Sequence, residues 1–147
     1  MHRILSRCAR LSAIVASFAC HDATRPDADL ADAALVNPAI SSVQVISVTE
    51  VPKAGRPFEV RVQSYGLDGC WVADRAVVDL NESIATIIPY NRSNAGPSVG
   101  CQDIIIAIPH RVMLTFNTPG QKSLVVRARD FTTRQPLRFE VTVTVAP

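Results

Sequence analysis

Phe58-Glu59-Val60-Arg61-Val62-Gln63 is the stretch on which the fold turns. Successive side chains of a strand point to opposite faces, so Phe58, Val60 and Val62 share one face and Glu59, Arg61 and Gln63 the other. A helix would need apolar residues three and four apart, and this run has them two apart. It reads as a half-buried strand with one face on a core and one in water, the usual state of an antiparallel sheet. Just before it, Val51-Pro52-Lys53-Ala54-Gly55-Arg56-Pro57 holds two prolines and a glycine, which end a preceding strand and turn the chain. That preceding strand is the β-branched run Val43-Gln44-Val45-Ile46-Ser47-Val48-Thr49.

Downstream, the period of two continues to the last residue. A turn is expected at Tyr65-Gly66-Leu67-Asp68-Gly69, then strand character at Cys70–Ala73, at Val77–Leu80 and from Ile84 to Tyr90, where Pro89 marks a strand end or an edge. Residues 91–100, NRSNAGPSVG, read as a polar loop. Ile104 to Ile108 is a short apolar run stopped by Pro109, and Val112, Leu114 and Phe116 alternate with Arg111, Met113 and Thr115 up to a turn at Thr118-Pro119-Gly120. Leu124, Val126 and Ala128 oppose Val125, Arg127 and Arg129 on a further strand, and the last strand has Leu137, Phe139, Val141, Val143 and Val145 inward. About seven to eight short strands with turn signals between them, and no helical period, predict an all-β fold. Short turns favour antiparallel neighbours, so the expected architecture is an immunoglobulin-like antiparallel β-sandwich over residues 43–147. No internal repeat appears.

The first 42 residues follow different rules. Residues 1–19 carry Arg3, Arg7 and Arg10 ahead of an apolar stretch, Leu11 to Ala19, that ends in small residues. At about nine residues the stretch is too short to cross a bilayer, which takes about 20, and it reads as a signal peptide. Ser17-Phe18-Ala19-Cys20 resembles a bacterial lipobox, in which the Cys following a small residue becomes the lipidated N-terminus; Ser17 stands where that pattern usually has Leu. A general signal peptidase cut at the same Ala19-Cys20 bond is the alternative. Residues 20–42 hold Asp22, Asp27, Asp29 and Asp32, many alanines, two prolines and no aromatic, and are expected to form a disordered tether.

Charge narrows the function. The 147 residues carry 15 Lys+Arg and 13 Asp+Glu; loss of the three leader arginines leaves 12 against 13, a net charge of −1. Nucleic-acid binding calls for a basic patch or stripe, which a near-neutral chain does not advertise, so no nucleic acid is expected as partner. Of the four cysteines, Cys8 leaves with the signal and Cys20 is the candidate lipidation site, leaving Cys70 and Cys101 inside the domain. In an oxidising compartment this pair is expected to form a disulfide. A zinc site would need two more ligands and a nucleophilic Cys a positioned base; His110 is the single nearby candidate for either, without CxxC or HxxxH spacing. His110 itself, between Pro109 and Arg111, is read as an exposed or turn-bonded residue. No catalytic residue, metal site or cofactor is expected: the chain has no glycine-rich phosphate loop, no GxSxG and no carboxylate pair at helical spacing.

The candidate binding surface is Trp71, Tyr65 and Tyr90, three aromatic faces in and around the segment closed by the cysteines, together with Arg127 and Arg129 on one strand. The arginines are alternatively a solvated outer face paired across strands with Glu140 and Glu59. Asn81-Glu82-Ser83 and Asn91-Arg92-Ser93 match the glycosylation sequon but are incidental in a bacterial protein.

Ala54-Gly55-Arg56-Pro57-Phe58-Glu59-Val60-Arg61-Val62, Gly69-Cys70-Trp71, Ile88-Pro89-Tyr90, Cys101-Gln102-Asp103, and Leu114-Thr115-Phe116 with Pro119-Gly120 and Leu124-Val125-Val126-Arg127 resemble the uncharacterised secreted bacterial lipoproteins that carry one immunoglobulin-like domain. The resemblance implies export and a membrane anchor on Cys20, and brings no activity with it. The expected function is that of a non-enzymatic cell-envelope binding or structural module contacting an envelope protein or polymer, with a glycan-binding module or a loop-based protease inhibitor as alternatives.

Overall fold

The structure is a computed structural model that describes residues 30 and 32–147. The expected signal peptide, Cys20 and the first part of the expected tether lie outside the described residues. Eight strands and one helical turn follow in order: β1 (Leu35–Val36), α1 (Ser42–Val45), β2 (Ile46–Val48), β3 (Phe58–Gly66), β4 (Trp71–Leu80), β5 (Ile84–Ser93), β6 (Ile106–Leu114), β7 (Gly120–Asp130) and β8 (Pro136–Val145). The all-β expectation holds. The strands form one curled, mixed sheet in the order β2-β3-β1-β7-β5-β4, with β6 added on β3 and β8 on β7.

The curl brings β2, β3 and β6 over β5, β7 and β8, and one core fills the space between them. Phe58, Val60 and Val62 of β3 meet Val112 and Leu114 of β6 and Leu124, Val126 and Ala128 of β7, with Phe116 and Phe139 closing the ends. The alternation quoted first is obeyed: Phe58, Val60 and Val62 are buried, Arg61 is exposed and Glu59 and Gln63 are half-buried. At one end of the barrel-like curl a bridge between Lys53 and Ala146 ties the turn after β2 to the end of β8.

Four details depart from expectation, each for a local reason. Two pairings are parallel, β1 with β7 and β5 with β7, where a wholly antiparallel sandwich was expected. Local turns dictate antiparallel hairpins such as β4–β5 and β7–β8, whereas β5 and β7 meet across an intervening strand and no turn sets their direction.

The described part of the expected tether, residue 30 and residues 32–42, is instead packed on the domain. Leu30, Ala33, Ala34 and Val36 are buried, and β1 slots between β3 and β7. Its backbone is fully engaged: Ala34 N–H donates to the Pro89 carbonyl at 2.8 Å, Arg129 N–H to that of Ala34, and Phe131 N–H to that of Val36. A narrow seam between two sheet edges accepts alanines, so a composition typical of disorder becomes ordered by tertiary contacts.

The run 43–49, expected as a strand, begins as the helical turn α1. Gln44 Oε1 accepts the Ser41 N–H at 3.0 Å, and Val45 N–H returns to the Ser41 carbonyl. This turn lets Val45 and Ile46, adjacent in sequence, both enter the core, which a strand forbids.

Finally, β5 runs through Pro89 and β6 through Pro109. On a strand a residue's N–H and C=O point to the same side, and the Pro89 carbonyl accepts the N–H of Ala34, just before β1, so its missing N–H removes nothing from the β4 ladder. Pro109 sits on β6, an edge strand bonded to β3 alone, where a missing donor is tolerated.

Candidate ligand-binding cleft

The ends of β3, β5 and β7 and the start of β4 converge beside β1. There they surround a cleft of about 500 Å³, within the range of about 300–1,000 Å³ common for small-molecule sites. Trp71, Tyr65 and Arg129, expected as binding residues, line it together with Asn91, Arg92 and Arg134. Asp32 contributes the one lining carboxylate among the described residues, and Ala33, Ala34 and Leu35 of the β1 segment form one wall.

Several of the lining groups are held from behind, and Arg92 pairs with Asp74 at 3.5 Å. Trp71 follows Cys70, and the Cys70–Cys101 disulfide is formed, fixing the start of β4 to the 94–105 loop. The Asp68 side chain accepts the Cys70 N–H at 2.8 Å and Gly69 N–H donates to Gln102, so both sides of the bridge are also hydrogen-bonded. Asp68 and the two sulfurs form a compact donor group, but the sulfurs are bonded to each other and have no thiolate to offer a metal. Opposite Trp71, Gly66 makes close approach possible: a Cβ there would sit 2.5 Å from Trp71 Cβ and 3.0 Å from its Cγ.

Tyr65 meets Phe131 edge to face, with ring centroids 6.3 Å apart, and the Arg134 guanidinium lies 5.9 Å above the Phe131 ring. Arg134 is presented by the β7–β8 turn, whose backbone takes φ +64° at that residue. Asp130 builds this turn: its carboxylate accepts the N–H groups of Thr132 and Thr133 at 2.7 and 2.8 Å. The Thr133 N–H foremost holds the Asp130 carboxyl below its ordinary value, with Thr132 and the Arg134 charge adding to it. Arg129 Nε donates to the Arg134 carbonyl at 2.9 Å, which couples the two arginines.

Beneath the cleft lies a polar trio that sequence reading missed. His110, expected at an exposed turn, sits in mid-β6 and is 3% exposed; Ser64 of β3 is fully buried. His110 Nε2 is 2.8 Å from Asn91 Oδ1 and 3.0 Å from Ser64 Oγ. Asn91 Nδ2 donates to the Tyr65 carbonyl at 3.2 Å, so Oδ1 is the end that faces His110 and can only accept. His110 therefore carries its proton on Nε2, shared between Asn91 Oδ1 and Ser64 Oγ, and the Ser64 hydroxyl in turn has two acceptors, Asn91 Oδ1 at 3.1 Å and the Ile108 carbonyl at 3.2 Å. Nε2 has no lone pair free for the Ser64 proton, so this serine–histidine pair does not have the arrangement of a nucleophile with its base. Burial pushes His110 down to about 4, keeping it neutral. What the trio does is aim the Asn91 amide at the junction of β3 and β5, on the floor of the cleft.

Two expected surface residues lie elsewhere. Tyr90 is buried in a small second core with Leu30, Ala33 and Ile88, and Arg75 sits 4.3 Å over its ring. Arg127 stands opposite Arg138 in the β7–β8 register, away from the cleft. Glu59 pairs with Arg61 of its own strand at 2.6 Å, and Glu140 with Arg138 of its own strand at 2.5 Å. Those arginines, after the Ser123 hydroxyl in the case of Glu140, lower the two carboxyls.

The fold and cleft define an all-β domain with an arginine- and aromatic-lined site at one end of a curled sheet. No protein-family model, curated protein or solved structure matches the chain.

Proposed function

We propose that the chain is an exported envelope protein, tethered through a lipid on Cys20, whose domain binds an envelope polymer in the cleft of Tyr65, Trp71 and Asn91. The observation that carries this reading is the convergence of aromatic faces and hydrogen-bonding groups from four separate strands on one concavity, each braced by a disulfide, a buried trio or a turn. Such bracing keeps the lining groups ordered before a ligand arrives, which reduces the entropy cost of binding. Binding rather than turnover suits a site whose nearest Ser–His pair lacks an available base.

Trp71 is the sole tryptophan, so its emission reports on this cleft alone. Titration of residues 20–147 with soluble fragments of envelope polymers is expected to change that emission saturably. An unchanged spectrum across peptidoglycan, teichoic and lipopolysaccharide-core fragments at millimolar concentration would remove the reading. A second reading, protease inhibition, is favoured by one observation: Val99, Ile104 and Ile105 are exposed on the disulfide-held 94–105 loop, 52%, 50% and 63% open. Its check is slowed hydrolysis by representative serine and cysteine proteases.

A further inference from the structure

We infer that β4 is the interface of a homodimer, its open edge pairing antiparallel with the β4 of a second copy about a twofold axis at Val77. The inference goes beyond the cleft reading and does not depend on it. β4 is bonded to β5 alone; it approaches β6 but forms no ladder with it. The Pro89 carbonyl accepts from Ala34 and so points away from β4. Ala76, opposite Pro89 in the register, therefore turns its own N–H and C=O away from β5, and Val78 and Leu80 follow at steps of two. A strand laid on that side meets a row of open backbone donors and acceptors. The other edges are protected against such pairing: β2 is three residues long, β6 holds Pro109, and β8 is flanked by α1 and β2.

The side chains point to a second copy as the strand that fits. Val77 and Val78 lie on opposite faces of β4, and both are open, 47% and 37% exposed. Past the bulge between Ala73 and Arg75 the register is regular, so Arg75, Val77 and Asp79 share one face, and all three are exposed. The run Arg75-Ala76-Val77-Val78-Asp79 is complementary to its own reverse. With Val77 on the axis, Ala76 and the second copy's Val78 exchange backbone hydrogen bonds, the two Val77 side chains meet, and each Arg75 stands opposite an Asp79. Arg75 touches Asp74 at 3.0 Å and lies over the Tyr90 ring, yet its side chain stays exposed, and the five donors of a guanidinium leave room for another carboxylate. Moving the axis to Val78 would keep the backbone bonds but set Asp79 against Val77, so charge selects the register. By symmetry every such pair occurs twice.

The test is sedimentation equilibrium on residues 20–147 carrying Cys20→Ser, which leaves no thiol outside the disulfide, over micromolar to millimolar concentrations. The mass is expected to double as concentration rises. Asp79→Arg, which sets like charges opposite each other, is expected to weaken the dimer at least about tenfold, and Arg75→Asp combined with Asp79→Arg to restore it. In the same background Val77→Cys is expected to give a disulfide-linked dimer under mild oxidant, since facing residues of a non-hydrogen-bonded pair lie about 4.5 Å apart at Cα. Asp79→Cys is not, its two copies being about 14 Å apart. If Asp79→Arg fails to fold, the cross-link decides. A parent chain monomeric throughout overturns the inference and leaves the edge to a strand of another protein. A dimer indifferent to Asp79→Arg, or equal cross-linking from positions 77 and 79, overturns it by placing the contact elsewhere.

Discussion

His110 shows how much a single side chain's placement depends on a neighbour. Counting back by two from Leu114 and Val112 puts His110 and Ile108 on the inward face of β6, and that is where they are. Pro109 hid the pattern, because a proline suggests a strand end and only the edge position of β6 makes it harmless. The burial has a measurable consequence. An unfolded chain protonates this imidazole near its ordinary 6.5, whereas the fold holds it neutral down to about 4. The stabilisation is complete above pH 6.5 and is lost as pH falls from 6.5 toward 4, at up to about 1.4 kcal/mol per pH unit, or roughly 2–3 kcal/mol in total. Glu59, Asp130 and Glu140 have lowered values, and their contributions have the same sign but fade below about their ordinary 3.8–4.5. Denaturant melts between pH 6.5 and 4.5 therefore isolate His110: wild type is expected to weaken steadily and His110→Gln to show a flat profile. Gly66 makes a second prediction at this scale. With Trp71 Cβ only 2.5 Å from a methyl placed there, Gly66→Ala is expected to displace the indole, red-shift its emission and cost roughly 1–3 kcal/mol of stability. An unchanged spectrum would mean that Trp71 has room that the packing denies it.

At the scale of elements, the strands with clean alternation were readable, β3, β7 and β8 above all, because one wet face and one dry face leave a period-two trace. The short segments were not. β1 and α1 owe their form to the seam they fill: Val36 is fully buried between β3 and β7, yet nothing within the Asp- and Ala-rich stretch around it signals a partner so distant in sequence. Val36→Ala is expected to destabilise by about 2 kcal/mol from lost burial and a residual void, and a chain beginning at residue 43 to melt well below one beginning at residue 30. Equal melting of the two chains would show that the segment is dispensable. The disulfide was legible from two unpaired cysteines in an export context. It closes a separation of 31 residues, for which chain entropy gives about 3–4 kcal/mol. Cys70→Ser is expected to lower the melting point in oxidising buffer by as much as reductant lowers that of the wild type.

For the whole molecule, composition announced an all-β chain, and turn chemistry announced hairpins, but two parallel pairings were beyond its reach because they join strands that no short turn connects. The cleft depends on those pairings, since β1 beside β7 supplies one wall and β5 carries Asn91 to the floor. Hence Trp71, Tyr65 and Arg129 were nameable one at a time while Arg134, Arg92 and Asn91 were not. Tethering is a separate matter at this scale. Intact mass of the protein recovered from an envelope is expected to equal residues 20–147 plus an acylated glyceride, with two thiols alkylated only after reduction; a lipid-free mass in the soluble fraction would replace the anchor with free diffusion.

The most direct test of a ligand site at the convergence of β3, β4, β5 and β7 is the chemical-shift map of ¹⁵N-labelled residues 20–147 titrated with soluble peptidoglycan, teichoic and lipopolysaccharide-core fragments. The account predicts saturable shifts centred on the Trp71 indole N–H, the Asn91 side-chain amide and the backbone amides of Tyr65 and Arg134. Shifts gathered instead along the exposed β4 positions Val77 and Leu80, or no shift with any of these fragments, would contradict it.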